Sequence, residues 1–370
     1  AFSPDFVASL DVDVIQFEKS TATLAMTGTL DSKRARFVDA CPVELFKAVK
    51  NAAEIRGLKK AHLRDACVVV SVLAWLERRA SSRDVTEWDV VRELRRLRSK
   101  YEEYRGDSFA TISSSGANAA IIHYSPSPEK SAVVDPSRIF LLDTGAQFLD
   151  GTTDNTRTVH FSQPTPQERK CYTLVLKGHV DLATQKFPAG ISGLQLDAIA
   201  RAPLWQGSLD FDHGTGHGIG CYLNVHEGPF GIGGGAMPSA KLSPAARLKY
   251  LQGIHKGYYL SDEPGCYVAG AFGVRIEADL VTVDANHNDD ALPKMNNKPF
   301  LEFDYLTLLP FCRNLIDLDL LAPHQRRWID AYHAKVLALV APALAASPLP
   351  DTPLALAWLQ DACRPLSSPP

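Results

Sequence analysis

The sequence predicts an α+β fold made of two roughly similar halves. Helical periodicity comes first, strand-like runs follow, and the same order then repeats. The residues best suited to chemistry sit in glycine-bounded, strand-like runs of both halves. With 370 residues, 45% hydrophobic and 22% charged, the chain can bury a core for one large domain or two ordinary ones.

Residues 1–40 read as short strands and turns, VDVIQF (12–17) and TATLAMTGTL (21–30), too few for a core of their own. They are expected to be the residual tail of a missing upstream domain, with the catalytic domain over 41–370. The opening AFSPDFVASLDVDV has neither the basic nor the apolar region of a signal peptide. From Pro42 helices take over. PVELFKAVKNAAEIRG (42–57) has Pro in its first turn and Gly57 as its predicted stop. AHLRDACVVVSVLAWLERRA (61–80) holds an apolar run too short for a bilayer, hence a core helix. In TEWDVVRELRRLRSKYEEYRG (86–106), Arg95, Arg96, Arg98 and Lys100 alternate with acids as on a solvated helix face. Strand signals follow in ATISSSG, AAIIHY (119–124), RIFLLDTG, AQFLDGTT and TRTVHF. Helices return at 164–187 and 193–206, then strands at GHGIG, FGVRIEADLVTV and FLEFDYLTLLP. Two closing helices, 323–344 and 352–363, carry Trp328, Tyr332 and Trp358, which are expected to pack on the core.

Several function classes are excluded. A net charge of −3 gives no global field for nucleic acid or an anionic membrane. The seven cysteines are scattered, odd in number and free of CxxC pairs, which suits reduced thiols in a cytoplasmic protein. GTGHGIG is glycine-rich but no Walker Lys-Ser/Thr follows it, and no G-x-S-x-G elbow occurs.

What remains is a series of metal-ligand types: Asp143, Asp154, His217, Glu263 and Glu277. Asp143 and Asp154 face one cavity if the chain between them folds back as a hairpin. Two bare carboxylates about 4 Å apart repel by roughly 4 kcal/mol at an effective dielectric of about 20. Glu263 and Glu277 worsen that, and two divalent cations would relieve it. Four carboxylates and one imidazole suit manganese, cobalt or zinc. Taken singly, each has a plainer reading: turns for Asp143, Asp154 and Glu263, and an exposed strand of alternating charge for RIEAD (275–279). In HGTGHGIGCYLNVHEGP the glycines argue against a helical zincin motif. His226 and His123 are candidates for proton transfer or oxyanion stabilisation.

The strings AVKNAAEIRGLKKAHLRDA, ISSSGANAAIIHY, DTGAQFLDGTTDNTRTVHF, HGTGHGIGCYLNVHEGP, DEPGCYVAGAFGVRIE and LEFDYLTLLP resemble the catalytic domain of the Xaa-Pro aminopeptidases. These belong to the pita-bread metallopeptidases, together with prolidase and methionine aminopeptidase, and the eukaryotic cytosolic branch is the most similar. The resemblance implies a pita-bread α+β fold: two pseudo-symmetric halves, a curved antiparallel sheet and outer helices. It implies two divalent ions, manganese first, held by Asp143, Asp154, His217, Glu263 and Glu277. It makes Glu263 the base, His226 the group at the scissile carbonyl, and His213 and His123 residues that shape the substrate site and assist proton movement. Phe109, Tyr267 and Arg275 match positions near the proline-side pocket or metal shell. Peptides with penultimate proline are the implied substrates and a homodimer the implied assembly. Two departures stand out: Cys266, where a large residue is usual, and the GIGGGAMP loop at 231–238.

Overall fold

The computed structural model describes residues 3–18, 22–28, 34–38, 42–234, 244–285 and 298–366. Cys41, residues 235–238 of the glycine-rich loop and the SSPP end lie outside them.

The first half sets two helices, Ala52–Ala80 and Glu87–Arg98, against the antiparallel strands Ile112–Ser115, Phe140–Thr144 and Asn155–Val159. The second repeats the plan. Helices Pro166–Ala183 and Gly193–Gln206 pack on each other. An antiparallel sheet follows in the order Tyr259–Asp262, Ala278–Asp284, Phe300–Tyr305 and Phe187–Pro188. The halves join edge to edge, where Glu277 N–H donates to Thr156 O at 3.2 Å and Arg275 N–H to Thr158 Oγ1 at 3.1 Å. One apolar core runs through both, taking Val70 and Leu141 from the first and Val175, Leu280 and Ile329 from the second.

Local chemistry explains the helix starts. Thr86, Thr165 and Asn51 each begin a helix with a reciprocal capping box, closed by Asp89, Glu168 and Glu54. The Asn51 box corrects one expectation. The segment 42–57 is two helices, Pro42–Ala48 and the start of Ala52–Ala80, and Gly57 is not a stop. Gly57 lies mid-helix because a Cβ there would come 2.3 Å from Asp150 O.

Other expectations also shift. The segment 86–106 leaves the helix at Arg98, because Tyr104–Asp107 becomes a strand paired with Ala146–Phe148. Arg98 is not on a solvated face: it is fully buried and donates to Asp65 at 2.9 Å. Within 21–30, Thr23 caps a short helix, Leu24–Thr27, where a strand was expected. AAIIHY is no strand either, since a 3-10 turn occupies Gly116–Ala120. Trp328, Tyr332 and Trp358 do pack on the core; Trp328 and Tyr332 stack on each other, and the Trp358 indole donates to Glu77.

Arg157 ties the closing segment to the strands. Its fully buried guanidinium donates to Leu309 O (2.8 Å), Pro310 O (3.2 Å), Thr156 O (2.8 Å) and Glu277 O (2.7 Å). The Phe311 ring lies 4.9 Å away. No helix among the described residues is long and apolar enough to cross a membrane, and the described cysteines are free thiols.

Candidate metal centre

The register of two ladders brings the carboxylates together. In the first, Asp143 pairs with Thr156 and Thr144 with Asn155, so Asp154 follows the same end of the hairpin. In the second, Asp262 pairs with Ala278, so Glu263 and Glu277 leave that ladder side by side. His217 sits on the short strand Gly216–His217, and its N–H donates to Ser261 Oγ at 3.0 Å. All five line one cavity of about 430 Å³, with Phe109, His123, His213, His226 and Arg275. Tyr267 stands behind this lining. Its oxygen meets His213 Nε2 at 2.9 Å and accepts from Arg275 Nη1 at 2.7 Å.

Asp154, His217 and Glu277 offer ligand atoms within 4.8 Å of one another. His217 Nε2 lies 3.5 Å from Asp154 Oδ2 and 3.4 Å from Glu263 Oε1. Its Nδ1, 3.1 Å from Gly218 O, is placed to donate there, which leaves the Nε2 lone pair facing the carboxylates. Glu277 accepts from Thr156 Oγ1 at 2.6 Å and Asp143 from Arg275 Nη2 at 2.6 Å. Asp143 Oδ1 is buried with no partner.

The electrostatics follow from burial. Loss of water raises Asp154 well above the usual carboxylate range, and Asp143, Asp279 and Glu263 add to this. Glu277 is raised likewise, by burial and then by Asp154 and Glu263. Burial, opposed by Arg275 and reinforced by Asp143, pushes Glu263 up to about 8. Burial also holds both imidazoles neutral at pH 7, His217 far below its ordinary value and His213 at about 3. Crowded acids that resist ionisation, an orphaned carboxylate oxygen and a neutral imidazole with its lone pair turned inward fit divalent cations.

RIEAD is therefore not an exposed strand: Arg275, Glu277 and Asp279 are all buried. Asp279 escaped the sequence reading, yet its Oδ2 accepts the Asp154 N–H at 2.9 Å and the Tyr259 O–H at 2.6 Å. His62 Nε2 lies 3.1 Å from the same oxygen. Thr156 and Ser261, which orient Glu277 and His217, were missed too. Only the strand pairing shows what they touch. Both His213 nitrogens are engaged, Nδ1 with Gly214 O at 2.8 Å and Nε2 with Tyr267. His123 and His226 are open to the cavity, and His226 stacks edge-on against His217 at 4.2 Å.

This donor set, at the meeting of two antiparallel sheets, is one that could hold divalent cations. Residues 56–284 match "Metallopeptidase family M24" and residues 299–366 match the "C-terminal region of peptidase_M24". The chain belongs to metallopeptidase family M24. It is 43% identical over 330 residues to a "Probable Xaa-Pro aminopeptidase P" of Colletotrichum graminicola, covering 88% of this chain and 50% of that one. It is 40% identical over 376 residues to "Aminopeptidase P1" of Arabidopsis thaliana, covering 96% and 55%. Among solved structures, an X-prolyl aminopeptidase from Caenorhabditis elegans superposes with a TM-score of 0.83 at 37% identity, covering 95% of this chain and 54% of that one. That protein is described as "a cytosolic enzyme with a di-nuclear active site". An Xaa-Pro dipeptidase from Bacillus anthracis superposes at 0.61 with 25% identity, covering 81% and 73%. The pita-bread expectation holds. The chain spans about half the length of the curated relatives it matches.

Proposed function

We propose that this chain is the catalytic domain of an Xaa-Pro aminopeptidase, which releases the N-terminal residue from peptides with proline in second place. The observation that carries the reading is the convergence of Asp143, Asp154, His217, Glu263 and Glu277 in one cavity walled by Phe109, His123, His213, His226 and Arg275. Asp143, Asp154, His217, Glu263 and Glu277 would hold two divalent ions. Manganese is preferred, with zinc or cobalt as alternatives. When bound, such ions acidify water and polarise a carbonyl.

The chain's own residues do the rest. Glu263, whose carboxylate faces the cavity, takes the proton of the attacking water. His226, open to the cavity, donates to the scissile carbonyl oxygen as charge grows on it. His213, fixed by Tyr267 and Gly214, shapes the wall and, with His123, assists proton movement. His123 lies at the substrate side, and Phe109 with the Tyr267–Arg275 pair forms the proline side. Proline has no amide proton and a fixed ring, so a shaped apolar wall selects it. Residues 1–40 are assigned to a domain upstream of the catalytic domain, 41–370. A cytoplasmic homodimer completes the reading.

The test is cleavage of Arg-Pro-Pro and of Gly-Pro before chelation, after it, and after manganese is added back. Arg should be released from the tripeptide, lost with chelator and restored by metal. Rapid cleavage of the dipeptide alone would make the protein a prolidase. A protein that takes up no metal and cleaves neither would be a peptide-binding module. Glu263→Gln should abolish turnover at saturating metal, and His226→Ala should lower kcat with both ions retained.

A further inference from the structure

The helix Pro244–Leu251 brings Lys249 and Tyr250 to the cavity wall, and none of the roles above uses them. Gly231 and Gly233 make room for both. A Cβ on Gly231 would lie 2.6 Å from Lys249 Cε, and one on Gly233 would lie 2.8 Å from the Tyr250 ring. A side chain at Gly233 would crowd the Tyr250 ring, and one at Gly231 would displace the flexible end of Lys249 from its place on the wall. Lys249 Nζ stands 5.9 Å from the centroid of the Tyr250 ring. It pairs with no carboxylate among the described residues; burial lowers its ammonium from the ordinary lysine value and Glu263 alone opposes that shift.

A half-buried ammonium without an anion at ion-pair distance carries a desolvation cost that an incoming anion would offset. The charge of the cavity points the same way. Asp143, Asp154, Glu263 and Glu277 face Arg275 and Lys249. Two divalent ions would neutralise the four acids and leave both cations in excess.

We propose that Lys249, with Tyr250 beside it, is a specificity-determining residue that binds a carboxylate of the peptide substrate. The carboxylate is either the free C-terminus of a short peptide or an acidic side chain beside the scissile bond. The proposal rests on the peptidase reading above and adds an anionic preference to it.

The experiment compares metal-loaded wild type with Lys249→Met and Lys249→Arg. Arg-Pro-Pro against its C-terminal amide reports on the terminus. Glu-Pro-Pro amide against Gln-Pro-Pro amide reports on the side chain. Wild type should favour the charged member of one pair by about tenfold in KM, roughly the size of one charge-assisted contact. Lys249→Met should erase that preference and leave the amide or Gln substrate unchanged, while Lys249→Arg should keep it. No preference in either pair, or one that survives in Lys249→Met, overturns the proposal. Calorimetry with Pro-Pro and Pro-Pro amide needs no turnover. A chain that cleaves nothing but prefers the acid through Lys249 would refute the aminopeptidase reading and leave this one standing.

Discussion

His, Asp and Tyr meet twice behind the strands of this molecule, once from each half, and the two meetings are built differently. His62, from the long helix of the first half, lies 2.9 Å from the Tyr259 hydroxyl and 3.1 Å from Asp279 Oδ2 through the same Nε2. His179, from the long helix of the second half, uses opposite sides of its ring: Nε2 at 2.7 Å from Tyr305 and Nδ1 at 3.1 Å from Asp262. In the first cluster the Asp oxygen also accepts the backbone N–H of Asp154, a predicted ligand. In the second, His179 and Asp262 are close but misaligned, and neither Asp262 oxygen makes a hydrogen bond. Burial raises both carboxyls above the ordinary range. The lesson is that equal composition and equal burial do not give equal roles. The first cluster orients a candidate ligand, while the second pins a helix to a strand.

Asp279→Ala tests this most severely. It leaves the Asp154 N–H and the Tyr259 hydroxyl without this acceptor. Stability should fall by about 3 kcal/mol and metal affinity by tenfold or more, read by thermal unfolding and calorimetry. Unchanged metal affinity would remove the distinction between the clusters.

The next effect belongs to pH and metal together. Glu263 titrates at about 8 in the folded chain, against roughly 4.3 when unfolded. A raised carboxyl favours the protonated folded state, so this contribution to stability falls as pH climbs toward 8. Asp154 and Glu277 act with the same sign. The lowered imidazoles His213 and His217 act oppositely, but only below about pH 6.5. Between pH 6.5 and 8, the chelated protein should therefore lose several degrees of Tm, and saturating metal should abolish that slope. A slope identical with and without metal would place the raised acids outside the metal centre.

Asp262→Ala should cost less, about 1 kcal/mol, and leave metal affinity within threefold. Loss of metal on the scale of Asp279→Ala would mean that the second cluster also orients a ligand, through Glu263. Tyr305→Phe is the mildest change. It removes one partner of His179, so about 1 kcal/mol or less is expected by chemical denaturation, with metal titration unaltered.

How much of this was legible in the sequence follows from the range of each interaction. That the five candidate ligands belong together could be read because each sits beside a glycine or a strand-like run at fixed spacing. Asp279 could not, because its burial depends on Ser261 pairing with it across a ladder and on a helix more than two hundred residues earlier. Arg98 was misread for the same reason: its partner Asp65 lies on another helix. Gly57 was taken as punctuation, yet it answers to Asp150, which local propensity does not see. The short helix Leu24–Thr27 was lost to a β-leaning composition that one Thr cap overrode.

The guanidinium of Arg157 has a consequence for where this molecule can be divided. Two separate sequence patterns meet in the chain, ending at 284 and beginning at 299. A cut between them looks natural on a map. Arg157 nevertheless spends its donors on Leu309 and Pro310 from one side of that gap and on Thr156 and Glu277 from the other. A piece ending at 284 would keep every predicted ligand and still strand a buried cation among carbonyls no longer there. The segment beyond 284 is thus no removable appendix. It is the counterweight that lets a charge sit beneath the strands of the metal centre.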